Sequence, residues 1–203
     1  MVQNIKRLPG RPRLFDADQT LDQAIRVFWR KGYEGATIDD LTEATGLSRP
    51  SLYNAFGDKE ALFMRCLERY VATIGSLAVQ SMDAAGGARE AVCAYLRQAA
   101  LNATGEGCPS GCLIACVVPA VENSSVRAFL AVAMAASDGA IAARLALGVA
   151  SGELPSDFPV AQRARCVTDL SMALAVRARG GASRVELLET AAEGAALALD
   201  MPG

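Results

Sequence analysis

Between Ser48 and Phe56 the chain reads SRPSLYNAF, and its residue types separate by helical spacing into two groups. Leu52 and Phe56 stand one turn apart and are apolar, so they define a side that must be buried. Arg49, Ser51, Tyr53 and Asn54 occupy the remaining surface, with Ser48 at its start, and offer a guanidinium, hydroxyls and a carboxamide. Such a set can hydrogen-bond phosphate oxygens and base edges in a major groove, with Tyr53 and Asn54 the candidates for base reading. The plainer reading is a short surface helix kept soluble by polar residues.

A second group is Cys108, Cys112 and Cys116, spaced by four. Where that stretch is helical they share a side, and Cys112 falls near the start of a predicted helix, where a thiolate is favoured. Sensing of electrophiles or oxidants is one reading, and packing or pocket lining by small apolar side chains is the other. Zinc would want a fourth ligand. Histidine is absent from all 203 residues, which removes imidazole chemistry and the commonest metal ligand. No phosphate, nucleotide or metal motif is present either, so no catalytic residue, metal or cofactor is assigned, and the chain reads as something other than an enzyme.

A third group is basic. Through Phe15 the only charges are Lys6, Arg7, Arg11 and Arg13. The Gly10-Arg11-Pro12-Arg13 run can lie along a minor groove as arginine arms do, or stay a solvated tail. The overall charge of −2 decides nothing about a nucleic-acid partner, because the distribution matters more than the sum.

The elements that must hold these groups are helices. Hydrophobic residues make up 52% of the chain but aromatics only 5%, so the apolar content is mainly Ala, Leu and Val, which predicts an all-α fold. Asp16 and Gln19 form a capping pattern ahead of Leu21, Ala24, Ile25 and Phe28, and Lys31-Gly32 ends that first helix. Thr37 caps a second helix carrying Ile38 and Leu41; Gly46 breaks it, and Ser48 caps a third with Pro50 in its first turn. Two short helices across a glycine turn make a helix-turn-helix. Asp58 then starts a long helix to about Asp83, with Leu62, Phe63, Cys66, Leu67, Tyr70, Val71, Ile74 and Leu77 in one stripe. After Gly86-Gly87, helices are predicted at 88–104, 111–122, 124–150, 159–179 and 183–200, the last opened by a Ser183–Glu186 capping box, for about nine in all. The division is an arm at 1–15, a helix-turn-helix domain at 16–57 and a helical domain at 58–203. No secretory pattern follows the basic start, and the apolar stretches are short or interrupted by Asp138 and Arg144. The expectation is a cytoplasmic protein with no membrane partner.

Ala24 to Phe63 carries Phe28, Lys31-Gly32-Tyr33, Thr37, Leu41, Gly46, Ser48, Leu52-Tyr53, Phe56 and Lys59-Glu60-Ala61-Leu62 in order. On these residues the segment resembles the DNA-binding region of the TetR family of bacterial repressors. The resemblance implies phosphate contacts from Thr37 and Lys59, both near helix starts. Pro50 and Ala55 depart from the residues frequent in the family, so base preference does not transfer. The Gly-Cys-Leu-Ile run at 111–114 and the connector from Arg177 to Ser183 look like those of one TetR subgroup.

For the remainder the resemblance implies a helical ligand-binding and dimerisation domain. Tyr70, Ile74, Tyr95, Cys112, Cys116, Phe129 and Met134 are its candidates for a mostly apolar cavity, against the alternative that each fills the core. The last two helices are rich in small residues, as in Ser171 to Ala178 and Ala191 to Ala198, which suits a four-helix interface with a second copy. A two-fold dimer would set two recognition helices ~34–36 Å apart, or a multiple of that. The expected function is a ligand-responsive repressor that binds a palindromic operator of double-stranded DNA as a homodimer and is released by a small, mostly apolar effector. A thiol-based sensor on the same fold is the alternative, and an enzyme the remote one.

Overall fold

A computed structural model describes residues 15–200, and among them there are helices and no strands. The order is α1 (Ala17–Gly35), α2 (Ile38–Thr45), α3 (Arg49–Phe56), α4 (Lys59–Tyr70), a π-helical turn (Val71–Gly75), α5 (Ser76–Asp83), α6 (Ala88–Ala103), α7 (Leu113–Cys116), a 3₁₀ turn (Val118–Ala120), α8 (Ser124–Ala150), α9 (Val160–Arg179) and α10 (Arg184–Leu199). With α4, the π-helical turn and α5 taken as one continuous rod, the described residues hold nine helices, as the composition and periodicity predict.

Capping residues fix the starts. The Asp16 carboxylate accepts from the N–H groups of Asp18 and Gln19, Ser48 Oγ from Ser51, and Asp58 from Ala61. Thr37 with Asp40, and Ser183 with Glu186, form complete capping boxes in which both reciprocal bonds are made. The Asp40 carboxylate also meets Lys31 Nζ at 2.6 Å. That Lys31 bond, followed by the bonds to Thr37, holds the Asp40 pKa at about 2, below its ordinary 3.8. A carboxylate with a depressed folded-state pKa stabilises fully above its ordinary value and loses that contribution as pH falls through its folded one. Asp40→Asn should therefore melt below the parent protein at pH 7, and the gap should close between pH ~4 and ~2; thermal melts across that window are the check.

Gly32 interrupts α1 where the sequence places its end. Its φ of +75° and ψ of 172° break the helix, and one further turn runs on to Gly35. Only glycine adopts that conformation without strain, so Gly32→Ala should lower stability by ~1–3 kcal/mol, read from denaturant unfolding.

Two buried clusters organise the chain. The first gathers Leu21, Phe28, Trp29, Leu41, Leu52, Phe56, Phe63, Leu67 and Tyr70, and adds Leu113, Val118 and Val126 from far along the sequence. Phe28 meets the Phe63 ring edge-on at 4.8 Å, and Trp29 stands perpendicular to Tyr70 at 5.2 Å. Arg69 on α4 grips α1 through both oxygens of Asp22, at 2.6 and 2.8 Å, and through Asp18 at 3.0 Å. The second cluster packs α5, α6, α8, α9 and α10 around Met82, Leu96, Ile141, Leu145, Val167 and Leu174.

Three expectations are corrected. The stripe of the long helix leaves the core after Tyr70, since the π-helical turn rotates the face and Val71 and Leu77 are exposed. The helix predicted at 111–122 exists only as α7 and the 3₁₀ turn. Gly111 takes φ +93°, a Cβ there would lie 2.8 Å from Cys116 Sγ, and Pro119 supplies no N–H. Cys112 is extended and caps α7 while Cys116 is its last residue, so Cys108, Cys112 and Cys116 form no helical ladder.

The helix α8 spans residues 124–150, as the sequence predicts. Of its 27 residues only Val126, Ile141, Leu145 and Gly148 are buried, and Val132 and Leu147 face solvent. By length and a mean hydropathy of 1.5 it could cross a bilayer. Packing says otherwise: Arg144 donates to the carbonyls of Ala85 and Gly86 at 3.2 and 2.8 Å, while Ile141 and Leu145 sit in the second cluster.

Candidate nucleic-acid interface

The helix-turn-helix sits on the first cluster as the spacing requires. Leu52 and Phe56 are buried, and Leu41 of α2 is fully enclosed beside them. Ser48, Arg49, Ser51, Tyr53 and Asn54 are all exposed on one short helix, with Tyr53 showing 42% of its surface. Pro50, in the first turn, is exposed with them. Among the described residues nothing packs over the outer side of α3; its polar groups are presented outward.

Several of these groups are pre-set by neighbours. Arg49 Nη2 bonds Asp39 Oδ1 of α2 at 2.7 Å, and that carboxylate raises the guanidinium pKa. Ser48 Oγ and Ser51 Oγ lie 2.9 Å apart. Thr37 is exposed, and its oxygen and backbone N–H are both engaged with Asp40 in the capping box. Lys59 is half-buried, its ammonium lying 4.6 Å over the Tyr33 ring and 3.5 Å from the Glu34 carbonyl. A cation–π perch of this kind fixes a lysine without neutralising it. Arg11 and Arg13 lie outside the described residues.

Sequence reasoning missed the acidic partners. Asp39 and Asp40 pair with Arg49 and Lys31 ten and nine residues away, a separation that matches no local motif. It also missed Arg179. From the end of α9 this side chain donates to the Trp29 carbonyl at 2.6 Å and to the Ser110 carbonyl at 3.2 Å, tying the last turns of α1 to the opposite half of the chain. A cleft of about 290 Å³ opens at that junction, bordered by the end of α1, Cys116, Val117, Val121 and Arg179.

The seven predicted cavity residues are brought together only in part. Tyr70 and Tyr95 are buried; Ile74, Cys112, Cys116, Phe129 and Met134 are half-buried. Tyr70 Oη donates to Cys112 Sγ at 3.3 Å, Tyr95 lies near Cys112, and Cys112 touches both clusters. Of the seven, Cys116 alone borders the larger cleft, and a second cleft of about 150 Å³ between α6, α9 and α10 takes none. Burial pushes the Cys112 thiol above its ordinary range, more than the Tyr70 and backbone hydrogen bonds lower it. The same effect acts on Cys66 and on the Tyr70 hydroxyl. Cys112 is thus a protonated, packed thiol at neutral pH.

Residues 21–66 match the family described as "Bacterial regulatory proteins, tetR family". Over 193 residues the chain is 30% identical to the HTH-type transcriptional repressor ComR of Escherichia coli strain K12, covering 94% of this chain and 92% of that one. The chain belongs to the TetR family. The HTH-type transcriptional repressor BdcR of the same strain is 32% identical over 197 residues, covering 92% and 90%. Among solved structures, a cysteine-substituted TetR family regulator, CifR, bound to a 26-base-pair double-strand operator superposes with a TM-score of 0.85 at 34% identity, covering 92% of this chain and 98% of that one. The TetR-family architecture of an N-terminal helix-turn-helix domain and a helical C-terminal domain is therefore the fold of this chain, and the chain is a transcriptional repressor of that family, not an enzyme.

Proposed function

We propose that this repressor binds a palindromic operator as a homodimer, with α3 of each protomer in a major groove and a small effector releasing it. The observation that carries the reading is the division of α3: its two apolar residues are buried and Ser48, Arg49, Ser51, Tyr53 and Asn54 face outward. Tyr53 and Asn54 are assigned to bases, Thr37, Ser48, Arg49, Ser51 and Lys59 to phosphates, and Arg11 and Arg13 to the adjacent minor groove. The reading unit comprises residues 16–57 behind the arm at 1–15, and residues 58–203 take the effector and the second copy. The Gly-Cys-Leu-Ile run at 111–114 supports assignment to the corresponding subgroup, and the cytoplasm is taken as the working compartment.

Dimerisation is assigned to α9 and α10, whose outer sides expose Val176, Val185 and Leu197, three large apolar residues that a second copy would cover. Transmission to the reading head runs through the π-helical turn and through Arg179, which holds the Trp29 carbonyl of α1. An effector shifts this system only if it binds one arrangement better than the other.

Fluorescence anisotropy of an operator fragment, combined with sedimentation, tests the proposal. Two protomers per site, with affinity falling steeply and log-linearly in salt concentration, is the expected result. One protomer per site, or affinity indifferent to salt, contradicts it.

A further inference from the structure

Between Val126 and Ile141, α8 is largely apolar yet fully buries no side chain; Phe129 and Leu130 lie partly buried against the first cluster and Ala140 against the second. Two adjacent residues on that stretch are polar. Ser137 lies near the buried Tyr95 hydroxyl on α6, as does Ser171 on α9, and Asp138 is close enough to disfavour ionisation of Tyr95. One turn before Ser171 lies Thr168, 3% exposed, whose carbonyl accepts from Ser171 Oγ at 2.7 Å. Among the described residues, Asp138 Oδ1 and Thr168 Oγ1 are enclosed here without a hydrogen-bond partner. Enclosing such atoms unpaired costs roughly 1–3 kcal/mol each, which a hydrogen-bonding guest would relieve.

The chemistry of the cluster is one-sided. It holds one carboxylate and four hydroxyls, and no lysine or arginine. Arg144, the next cation along α8, is committed to the Ala85 and Gly86 carbonyls, and Arg177 on α9 borders the cleft on the far side of that helix. A hydroxyl guest would bring a single donor and leave the carboxylate charge unbalanced. An ammonium brings three donors and the balancing charge, with the Tyr95 ring as an additional neutralising surface.

We propose that Tyr95, Ser137, Asp138, Thr168 and Ser171 form an effector subsite for the ammonium end of a small amine, whose apolar body lies along Phe129, Ala133 and Met134 of α8. This rests on the reading above that a small effector binds the C-terminal domain, and replaces a mostly apolar effector with an amphiphilic cation. Asp138 accepts the ammonium and the hydroxyls orient it.

Calorimetric titration of the full-length protein with matched pairs tests this: hexylamine against hexanol, cyclohexylamine against cyclohexanol, benzylamine against benzyl alcohol. Each amine should bind about tenfold or more tightly than its alcohol, and Asp138→Asn should abolish that preference. Thr168→Val, isosteric and less exposed to folding failure, should weaken the amine and spare the alcohol. Equal binding within pairs, no binding of any amine, or an amine preference retained in Asp138→Asn overturns the proposal. Operator affinity is measured separately without amine. A protein that holds operator but ignores amines contradicts the subsite alone, and one that takes amines but not operator contradicts the repressor reading alone.

Discussion

Asn54→Ala should lower operator affinity by ~1–3 kcal/mol, on the order of 10–100-fold, and relax selectivity at one base pair of each half-site. The side chain is exposed on α3, so its removal should leave the thermal melt unchanged. A carboxamide can address a base edge with a donor and an acceptor at once, which a phosphate contact cannot exploit. Lys59→Ala gives the complementary signature: affinity falls evenly across sequences and the salt slope shrinks by about one unit. Competition against base-substituted duplexes, run beside a salt titration, separates the two. If Asn54→Ala weakens all duplexes equally, Asn54 is a phosphate contact and Tyr53 carries the reading.

The second large effect is structural. Phe28→Ala should destabilise the protein by ~3–5 kcal/mol. The ring is fully enclosed, meets Phe63 edge-on at 4.8 Å and stacks near Tyr33 at 6.2 Å, and Tyr33 in turn carries Lys59. Its loss opens a cavity beneath α3 and α4 and removes the support of the Lys59 perch. Operator binding should then fail although every proposed contact residue remains, and chemical denaturation should show the loss directly. A melt within the error of the parent would show that the first cluster does not hold the reading head.

How much of this was legible beforehand follows from the range of the forces involved. Caps act within one turn, so Asp16, Thr37, Ser48, Asp58 and Ser183 announced five helix starts. The split of α3 was legible for the same reason, since Leu52 and Phe56 repeat at helical spacing. The segment at 111–122 was misread because apolar content alone cannot register that Gly111 packs against Cys116 and the Ala175 carbonyl. That contact belongs to the tertiary structure. The Arg179 bond to Trp29 spans 150 residues and leaves no local pattern. The polar cluster around Asp138 was hidden for another reason. Ser137, Asp138, Thr168 and Ser171 look like ordinary surface residues of amphipathic helices until α6, α8 and α9 are brought together. Phe129 and Met134, expected to line a cavity, are half-buried on α8.

The central claim is that two copies present two α3 helices to one stretch of DNA. Selecting bound duplexes from a random-sequence pool with the full-length protein, followed by hydroxyl-radical footprinting of the enriched site, tests it most directly. The account predicts an inverted repeat whose half-sites are one helical turn, ~34–36 Å, or a multiple apart, with two matching protected patches. Enrichment of a single, non-repeated half-site with one protected patch, or no enrichment at all, would contradict it.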